Sequence, residues 1–447
     1  MPSLTDFPRD FHFGAATSAY QIEGAVHADG RGPSMWDEFA HHSGRIADKS
    51  TGDVACDHYH RMPQDVALIK TLGHNAYRFS IAWPRVLPQG TGLVNAQGLD
   101  FYERLVDALL EKGIAPYATL YHWDLPLPLH ARGGWLNRDT CHAFAEFADA
   151  VARRLGDRVH SYATLNEPRC SATVGYLEGR HAPGMEDRSK SLLAAHHLLL
   201  AHGMAVPVLR SHTQTAKVGI VLDVKPYYAA DPSVQTQQAV QHADGVFNRW
   251  FLDPLFLGRY PADIWQAHGE HAPDIAASDM QIIAQPIDSL GLNYYTRGHV
   301  RFDASLPYPH AREVEVPGAL YTTMGWEIFP EGLHHMLLRL QQQYPVKDLF
   351  IAENGAALND QVLDGQINDS VRVHYLHSHL MAVARAKREG VPLSAYFAWS
   401  LMDNFEWGKG YTQRFGLCHV DYATQVRTPK ASAWWYQGFI ASQQISQ

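Results

Sequence analysis

Eight short apolar runs punctuate the chain: Phe11 to Ala16, Asn75 to Ile81, Ala115 to Leu120, His160 to Leu165, Lys217 to Leu222, Ser289 to Asn293, Leu349 to Ala352 and Leu393 to Ala398. Each gives way to a loop rich in polar and aromatic residues, and amphipathic helical patterns lie between several of them, at Asp100 to Lys112, Arg138 to Leu155, Ser191 to Ser211 and Ser370 to Arg388. Gly113 and Gly390 follow two of these patterns as helix stops. A strand–loop–helix alternation of this kind restricts the chain to α/β folds with parallel strands. No GxGxxG or GxxxxGK[ST] fingerprint opens any of the helices, and Gly30, Arg31, Gly32 run into Pro33 rather than a helix. The expectation is a closed (β/α)8 barrel with enlarged βα loops, spanning 1–447 as a single catalytic domain, since no linker, repeat or low-complexity tract divides the chain. A hydrophobic fraction of 46% is ample for such a core.

A closed barrel places chemistry where strands end. Past the first run come Thr17 to Glu23, and the second contains Arg78. The third leads into His122, Trp123 and Asp124, and the fourth into Asn166, Glu167 and Pro168. The sixth leads into Asn293, Tyr294 and Tyr295, the seventh into Glu353, Asn354 and Gly355, and the eighth into Trp399 and Ser400. Singly, such residues serve as helix caps or rim groups; seven such endings on one barrel face point to a site. Glu167 and Glu353 both follow apolar strands, where an unpaired carboxylate is costly. Two readings are open from spacing alone: buried salt bridges, with Arg78 an obvious partner, or glycosidase chemistry, in which one carboxyl protonates a leaving oxygen and the other attacks the anomeric carbon.

TLNEP at Thr164 to Pro168 and IAENG at Ile351 to Gly355 resemble the two active-site motifs of glycoside hydrolase family 1, the β-glucosidase family. The resemblance extends along nearly the whole chain through FHFGAATSAYQIEGA at Phe11 to Ala25, HNAYRFSIAWPR at His74 to Arg85, LYHWDLP at Leu120 to Pro126, GLNYY at Gly291 to Tyr295, GWEIFPEGL at Gly325 to Leu333 and FAWSLMDNFEW at Phe397 to Trp407. It implies a retaining β-glycosidase, foremost a β-glucosidase acting on terminal β-D-glucosyl residues of cellobiose, cello-oligosaccharides and aryl β-glucosides, with β-galactosidase or β-fucosidase side activity and transglycosylation.

Residue by residue, the resemblance makes Glu167 the general acid/base and Glu353 the nucleophile, about 5 to 5.5 Å apart. Arg78, Asn293 and Tyr295 support the nucleophile. Gln21, His122, Trp123, Asn166, Trp399, Glu406 and Trp407 form the sugar pocket, with Trp399 as its platform. Trp326 is a wall on the aglycone side. Arg169 stands where many bacterial relatives have Trp after NEP; it could stack on a sugar, bind a leaving group or pair with a rim carboxylate such as Glu178. Glu406 favours a neutral hexose, because relatives that take 6-phosphorylated sugars usually carry serine there. Lys409 and Tyr411 motivate the 6-phospho-β-glucosidase alternative, and a non-catalytic carbohydrate-binding protein is the reading from another class.

Composition bounds the remainder. A net charge of −9 with 19% charged residues argues against a nucleic-acid coat. The four cysteines form no CxxC pair, and the adjacent histidines His41/His42, His58/His60 and His196/His197 lack a metal-site pattern, so neither metal nor cofactor is expected. Pro2, Asp6, Pro8, Arg9 and Asp10 interrupt the start of the chain where a secretory peptide would be apolar, which gives a cytoplasmic expectation with no membrane partner. Oligomeric state and aglycone preference are left open. The surplus of aromatics, 11 Trp, 21 Tyr and 18 Phe, suits a sugar site as well as packing.

Overall fold

The computed structural model describes residues 7–445. Eight parallel strands close into a barrel in sequence order: β1 (His12–Ala16), β2 (Ala76–Ser80), β3 (Ala115–Tyr121), β4 (Ser161–Asn166), β5 (Lys217–Asp223), β6 (Ser289–Asn293), β7 (Leu349–Asn354) and β8 (Leu393–Trp399), with β8 pairing back onto β1. All eight apolar runs are strands, displaced by no more than two residues at either end. The four helical patterns become α1 (Ala96–Glu111), α2 (Asp139–Leu155), α3 (Arg188–His212) and α4 (Ser370–Arg388). Gly113 and Gly390 take left-handed φ of 68° and 95°, the conformation a helix-stopping glycine provides at least cost.

Helix α3, 25 residues long, is apolar enough to cross a membrane by length and composition. Most of that apolar surface is buried instead, packed chiefly on α2, with His196, His197 and His202 all buried within it. Those histidines have local partners. His196 meets Tyr260 and Asp279 at 3.0 Å each, and His197 meets the Trp135 carbonyl at 2.8 Å. His58 pairs with Asp65 at 2.8 Å, and His41 with Asp53 at 3.1 Å. Adjacent histidines thus diverge to separate anchors, as neighbouring side chains on a helix must.

Inside the barrel, Tyr117, Phe350 and Phe397 fill the interior below the strand ends, with ring centroids 4.8 to 6.3 Å apart. They fill the axis beneath the C-terminal mouth, where the strand ends open toward a ligand. Two irregularities in the ladder matter there. On β4, Ala163 faces Gly219 and Asn166 faces Val221, three residues on one strand against two on the next. On β7, Ile351 faces Leu292 and Glu353 faces Asn293, two against one. Such bulges reverse the in–out alternation, and they turn Asn166 and Glu353 toward the axis where a regular strand would point them outward.

Two small sheets lie outside the barrel. Tyr227–Ala229, Gly298–Phe302 and Ala311–Glu313 make a three-stranded sheet over the loops after β5 and β6, and Cys418–Asp421 pairs with Val426–Pro429. The Pro-containing segment from Ala304 to Pro317 thus contains a short edge strand. Three residues are too few to show an alternating pattern, and this strand is defined by its distant partner alone.

The loops after β7 and β8 are tied together by a buried ionic network. Lys430 donates to Asp360 at 2.5 Å and Asp403 at 2.7 Å, Arg372 pairs with Asp360 and Asp369, and Arg414 reaches Asp403 at 2.6 Å. Three carboxylates meet three cations, so the desolvated charges balance. Lys430→Met should leave two buried carboxylates short of a partner and lower the unfolding free energy by about 3 kcal/mol, measured by denaturant titration; a change under a few tenths would show that the network is dispensable.

Candidate active site

At the mouth of the barrel is a cavity of about 980 Å³ whose walls include His122, Trp123, Glu167, Arg169, Asn293, Tyr295, Trp326, Glu353, Trp399, Glu406 and Trp407. Most of the sequence-derived candidates thus meet in one place. Arg78, Asn166 and Gln21 are buried behind this lining and hold it. Arg78, only 1% exposed, donates from Nη1 to Glu353 Oε1 at 2.7 Å and from Nη2 to Asn166 Oδ1 at 2.6 Å, joining β2 to β7 and β4. Gln21 donates to Asn404 Oδ1 and the Phe405 carbonyl at 2.9 and 2.8 Å and accepts from Ser18 at 2.6 Å, which fixes the loop that leads to Glu406.

Glu353 is clamped on both oxygens, by Arg78 on one side and by the Tyr295 hydroxyl, 2.6 Å away, on the other. Glu167 has a different setting. Asn293 Nδ2 donates to its Oε1 at 2.5 Å and to Asn166 Oδ1 at 3.1 Å. Both carboxyls line the cavity, and the charge of Glu353 reaches Glu167. Burial raises the proton affinity of both. For Glu353, Arg78 and Tyr295 pull the other way; for Glu167, the charges of Asp223 and Glu353 add to burial. The proton of the pair therefore resides on Glu167, and Glu353 is the ionised member.

The backbone is bent to present these groups. Glu167, Trp123 and Trp407 have left-handed φ of 47°, 79° and 46°. For side chains of this size such angles are strained and persist only where the surroundings enforce them. Trp123 Nε1 is anchored on the Asn166 carbonyl at 3.0 Å, and after Glu167 the chain enters a wide π-helical turn, Cys170–Leu177. Gly355 follows Glu353 at a point where a Cβ would lie 1.8 Å from the Trp399 carbonyl oxygen, so only glycine lets the β7 loop cross the end of β8.

His122 shows its tautomer through its neighbours. Asn166 Oδ1 accepts from Arg78 and Asn293, so its Nδ2 is the group facing His122 Nε2 at 3.1 Å. Burial and the Arg78 charge drive the imidazole pKa well below its ordinary value, so the ring is neutral, Nε2 accepts and Nδ1 carries the hydrogen. That Nδ1 is buried without a protein partner. The ring lies 5.9 Å from both Trp399 and Trp407 at angles of 21° and 19°, in a wall of aromatic faces. Glu406, beside this wall, is pushed up to about 8 by burial and by the Glu353 charge, and so holds a proton at neutral pH. The cavity thus offers aromatic faces with a few fixed polar groups, suited to a ligand with an apolar face and a hydroxylated edge.

Toward the exit, Arg169 departs from one sequence expectation. It pairs with Asp223 rather than Glu178, and its guanidinium lies 4.0 Å over the Phe247 ring; Glu178 accepts from Arg180 at 2.8 Å. Glu178 is carried away by the π-helical turn, whereas Asp223 at the end of β5 sits alongside the Glu167 turn. Asp223 and Phe247 are site residues that the sequence reading misses. Asp223 stands one residue past the fifth apolar run, the strand end from which no candidate is taken, and reading that end finds it. Phe247, in the turn Gly245–Arg249, carries no such signal. Trp326 is in place, 5.1 Å from Tyr295, and Pro309, Ala311 and Glu313 border the entrance. Among the described residues, Glu167, Cys170 and Asp223 are the only three potential metal ligands grouped closely, within 4.8 Å, and Arg169 already supplies a cation to Asp223 there.

Comparison with known proteins gives a consistent result. The family described as Glycosyl hydrolase family 1 matches residues 3–445. A β-glucosidase from Agrobacterium sp. is 47% identical over 437 residues, covering 97% of this chain and 95% of that one. A bifunctional β-D-glucosidase/β-D-fucosidase from Bifidobacterium breve is 46% identical, covering 97% and 98%. The family 1 β-glucosidase from Thermotoga maritima, solved in complex with isofagomine lactam, superposes with a TM-score of 0.95 at 45% identity, covering 98% of this chain and 99% of that one.

Tyr295→Phe should raise the Glu353 pKa, because the hydroxyl hydrogen bond favours the charged form. A smaller fraction of Glu353 is then ionised at any given acidic pH, with a shift of about one unit. Carboxyl ¹³C titration by NMR checks this; an unchanged Glu353 titration would mean that Arg78 alone sets its charge.

Proposed function

The chain belongs to glycosyl hydrolase family 1, and from that premise and the geometry of its two glutamates we propose that it is a retaining β-glucosidase that releases terminal β-D-glucosyl residues. The observation that carries the reading is the asymmetry of the pair. One carboxylate is held ionised by Arg78 and Tyr295, while the other, whose protonated form is favoured by burial and by the charges of Asp223 and Glu353, receives the Asn293 amide.

In the first step Glu353 attacks the anomeric carbon while Glu167 gives its proton to the glycosidic oxygen, so the aglycone departs as a neutral alcohol. The glycosyl-enzyme ester has no charge at Glu353. In the second step Glu167, now a carboxylate, takes a proton from water as that water attacks the same carbon, and the ester bond to Glu353 breaks. Two displacements return the β-configuration.

The glucosyl ring rests on Trp399, its C–H face against the indole. His122 Nδ1–H donates to a hydroxyl, satisfying its own buried hydrogen. Protonated Glu406 both donates and accepts along the hydroxylated edge, with Trp407 and Trp123 closing the wall. Asn166 holds His122 and Arg78 in register at the 2-hydroxyl side. The Bifidobacterium relative, named for both activities, supports fucosidase side activity, which requires the pocket to accept a sugar without a 6-hydroxyl and with an axial 4-hydroxyl. A 6-phosphorylated sugar is disfavoured: Glu406 faces the site, and Tyr411 turns its hydroxyl to the Thr51 carbonyl, 2.9 Å away. One catalytic domain accounts for the chain, and four buried free thiols support a reducing, cytoplasmic setting.

Glu167→Ala should reduce kcat/KM on cellobiose or phenyl β-glucoside by about 10²- to 10⁴-fold, yet largely spare the bond-breaking step with 2,4-dinitrophenyl β-glucoside, whose leaving group needs no proton. Glu353→Ala should abolish both. Equal losses across leaving groups in Glu167→Ala would contradict the acid role.

A further inference from the structure

Asp223 ends β5 on the leaving-group side of Glu167, and no step above uses it. Its Oδ2 accepts from Arg169 Nε and faces the Cys170 thiol at 3.8 Å. Its carboxylate, the thiol and the Glu167 carboxyl lie within 4.8 Å of one another. The Asp223 side chain is 9% exposed and that of Arg169 16%, so the pair is shielded but open to the cavity. Arg169 is braced by the Phe247 ring, which keeps its Nε on Asp223 while Nη2 reaches the Cys170 sulfur at 3.1 Å.

Two carboxyls therefore stand side by side on one wall, and only Asp223 has a cation. The ionisable groups facing Glu167 are Asp223 from β5, Glu353 from β7, Tyr295 after β6, and Arg169 and Cys170 from its own turn; Asp223 also faces Tyr227. After burial, Asp223 is the strongest influence favouring the protonated form of Glu167, ahead of Glu353. The two negative neighbours differ in one respect. The charge of Glu353 vanishes when it bonds to the sugar, whereas that of Asp223 does not.

We propose that Asp223, anchored by Arg169, is a positioning residue for proton transfer: it places a standing negative charge beside Glu167 that outlasts formation of the glycosyl-enzyme. The proposal rests on Glu167 being the acid/base. In the first step the charge helps retain the proton that Glu167 delivers to the leaving oxygen. In the second, with Glu353 neutralised as an ester, it keeps the Glu167 carboxylate basic enough to take a proton from water. This is the role of an ion pair standing where a bulky aromatic side chain is the common alternative.

The test is the pH dependence of the full-length enzyme and two variants. Asp223→Asn removes the charge at nearly constant shape, and Arg169→Gln removes the counter-ion. The alkaline limb of kcat/KM with phenyl β-glucoside reports loss of the proton from Glu167 in the free enzyme. Asp223→Asn should move it about one unit or more toward lower pH, roughly tenfold in rate above the limb, and Arg169→Gln should move it toward higher pH. With 2,4-dinitrophenyl β-glucoside, where the second step limits kcat, the acid limb reports Glu167 in the intermediate and should also fall in Asp223→Asn. Thermal unfolding of each variant separates lost folding from a moved limb, and Arg169→Gln gives an independent reading with opposite sign. Wild-type turnover with both limbs unmoved in the variants overturns the proposal while leaving the glucosidase reading intact; absence of wild-type turnover overturns both.

Discussion

The buried contact between Arg78 and Glu353 is the interaction on which the site depends. A guanidinium with 1% exposure can be kept charged only by partners that replace its lost hydration, and here it has three acceptors: Glu353, the Ala352 carbonyl and Asn166. In meeting that need Arg78 ties three strands together at the barrel mouth. It also fixes the amide orientation of Asn166, which in turn sets the tautomer of His122. Ionisation of the nucleophile, orientation of a sugar-facing donor and strand registry thus follow from one desolvated cation.

The barrel supplies the frame for this arrangement, and departures from regularity aim it. Bulges on β4 and β7 turn Asn166 and Glu353 inward, and left-handed φ at Glu167, Trp123 and Trp407 sets their side chains against the cavity. Each costs stability locally. The aromatic floor of Tyr117, Phe350 and Phe397 below and the ionic clamp of Lys430 with Asp360 and Asp403 beside it hold the strained segments in place.

Much of this was legible in the sequence because buried parallel strands are written as continuous apolar runs, and the polar residue that ends a run marks the mouth. Glu167, Glu353, His122, Asn293 and Trp399 were found by that rule, and the family resemblance gave them roles. What the sequence did not show has physical reasons. The bulges are invisible because an inserted residue on one strand has meaning only against its partner. The short strand Ala311–Glu313 is made by pairing with Gly298–Phe302, not by its own pattern. Arg169 could not be assigned a partner, since Asp223 lies 54 residues away and meets it only when β4 and β5 pair. The aromatic surplus resolved into separate tasks: Trp123, Trp399 and Trp407 line the cavity, while Trp83 and Trp135 are fully buried in packing.

The central claim is that Glu353 attacks carbon directly while Glu167 manages the proton, so that two inversions occur at one centre. The stereochemistry of the first-formed sugar tests it most directly. Proton NMR during the first moments of hydrolysis of an aryl β-glucoside, before mutarotation, should show the anomeric doublet of β-glucose appearing first and the α-anomer growing in later. Initial release of α-glucose would mean a single displacement by water and would contradict the account.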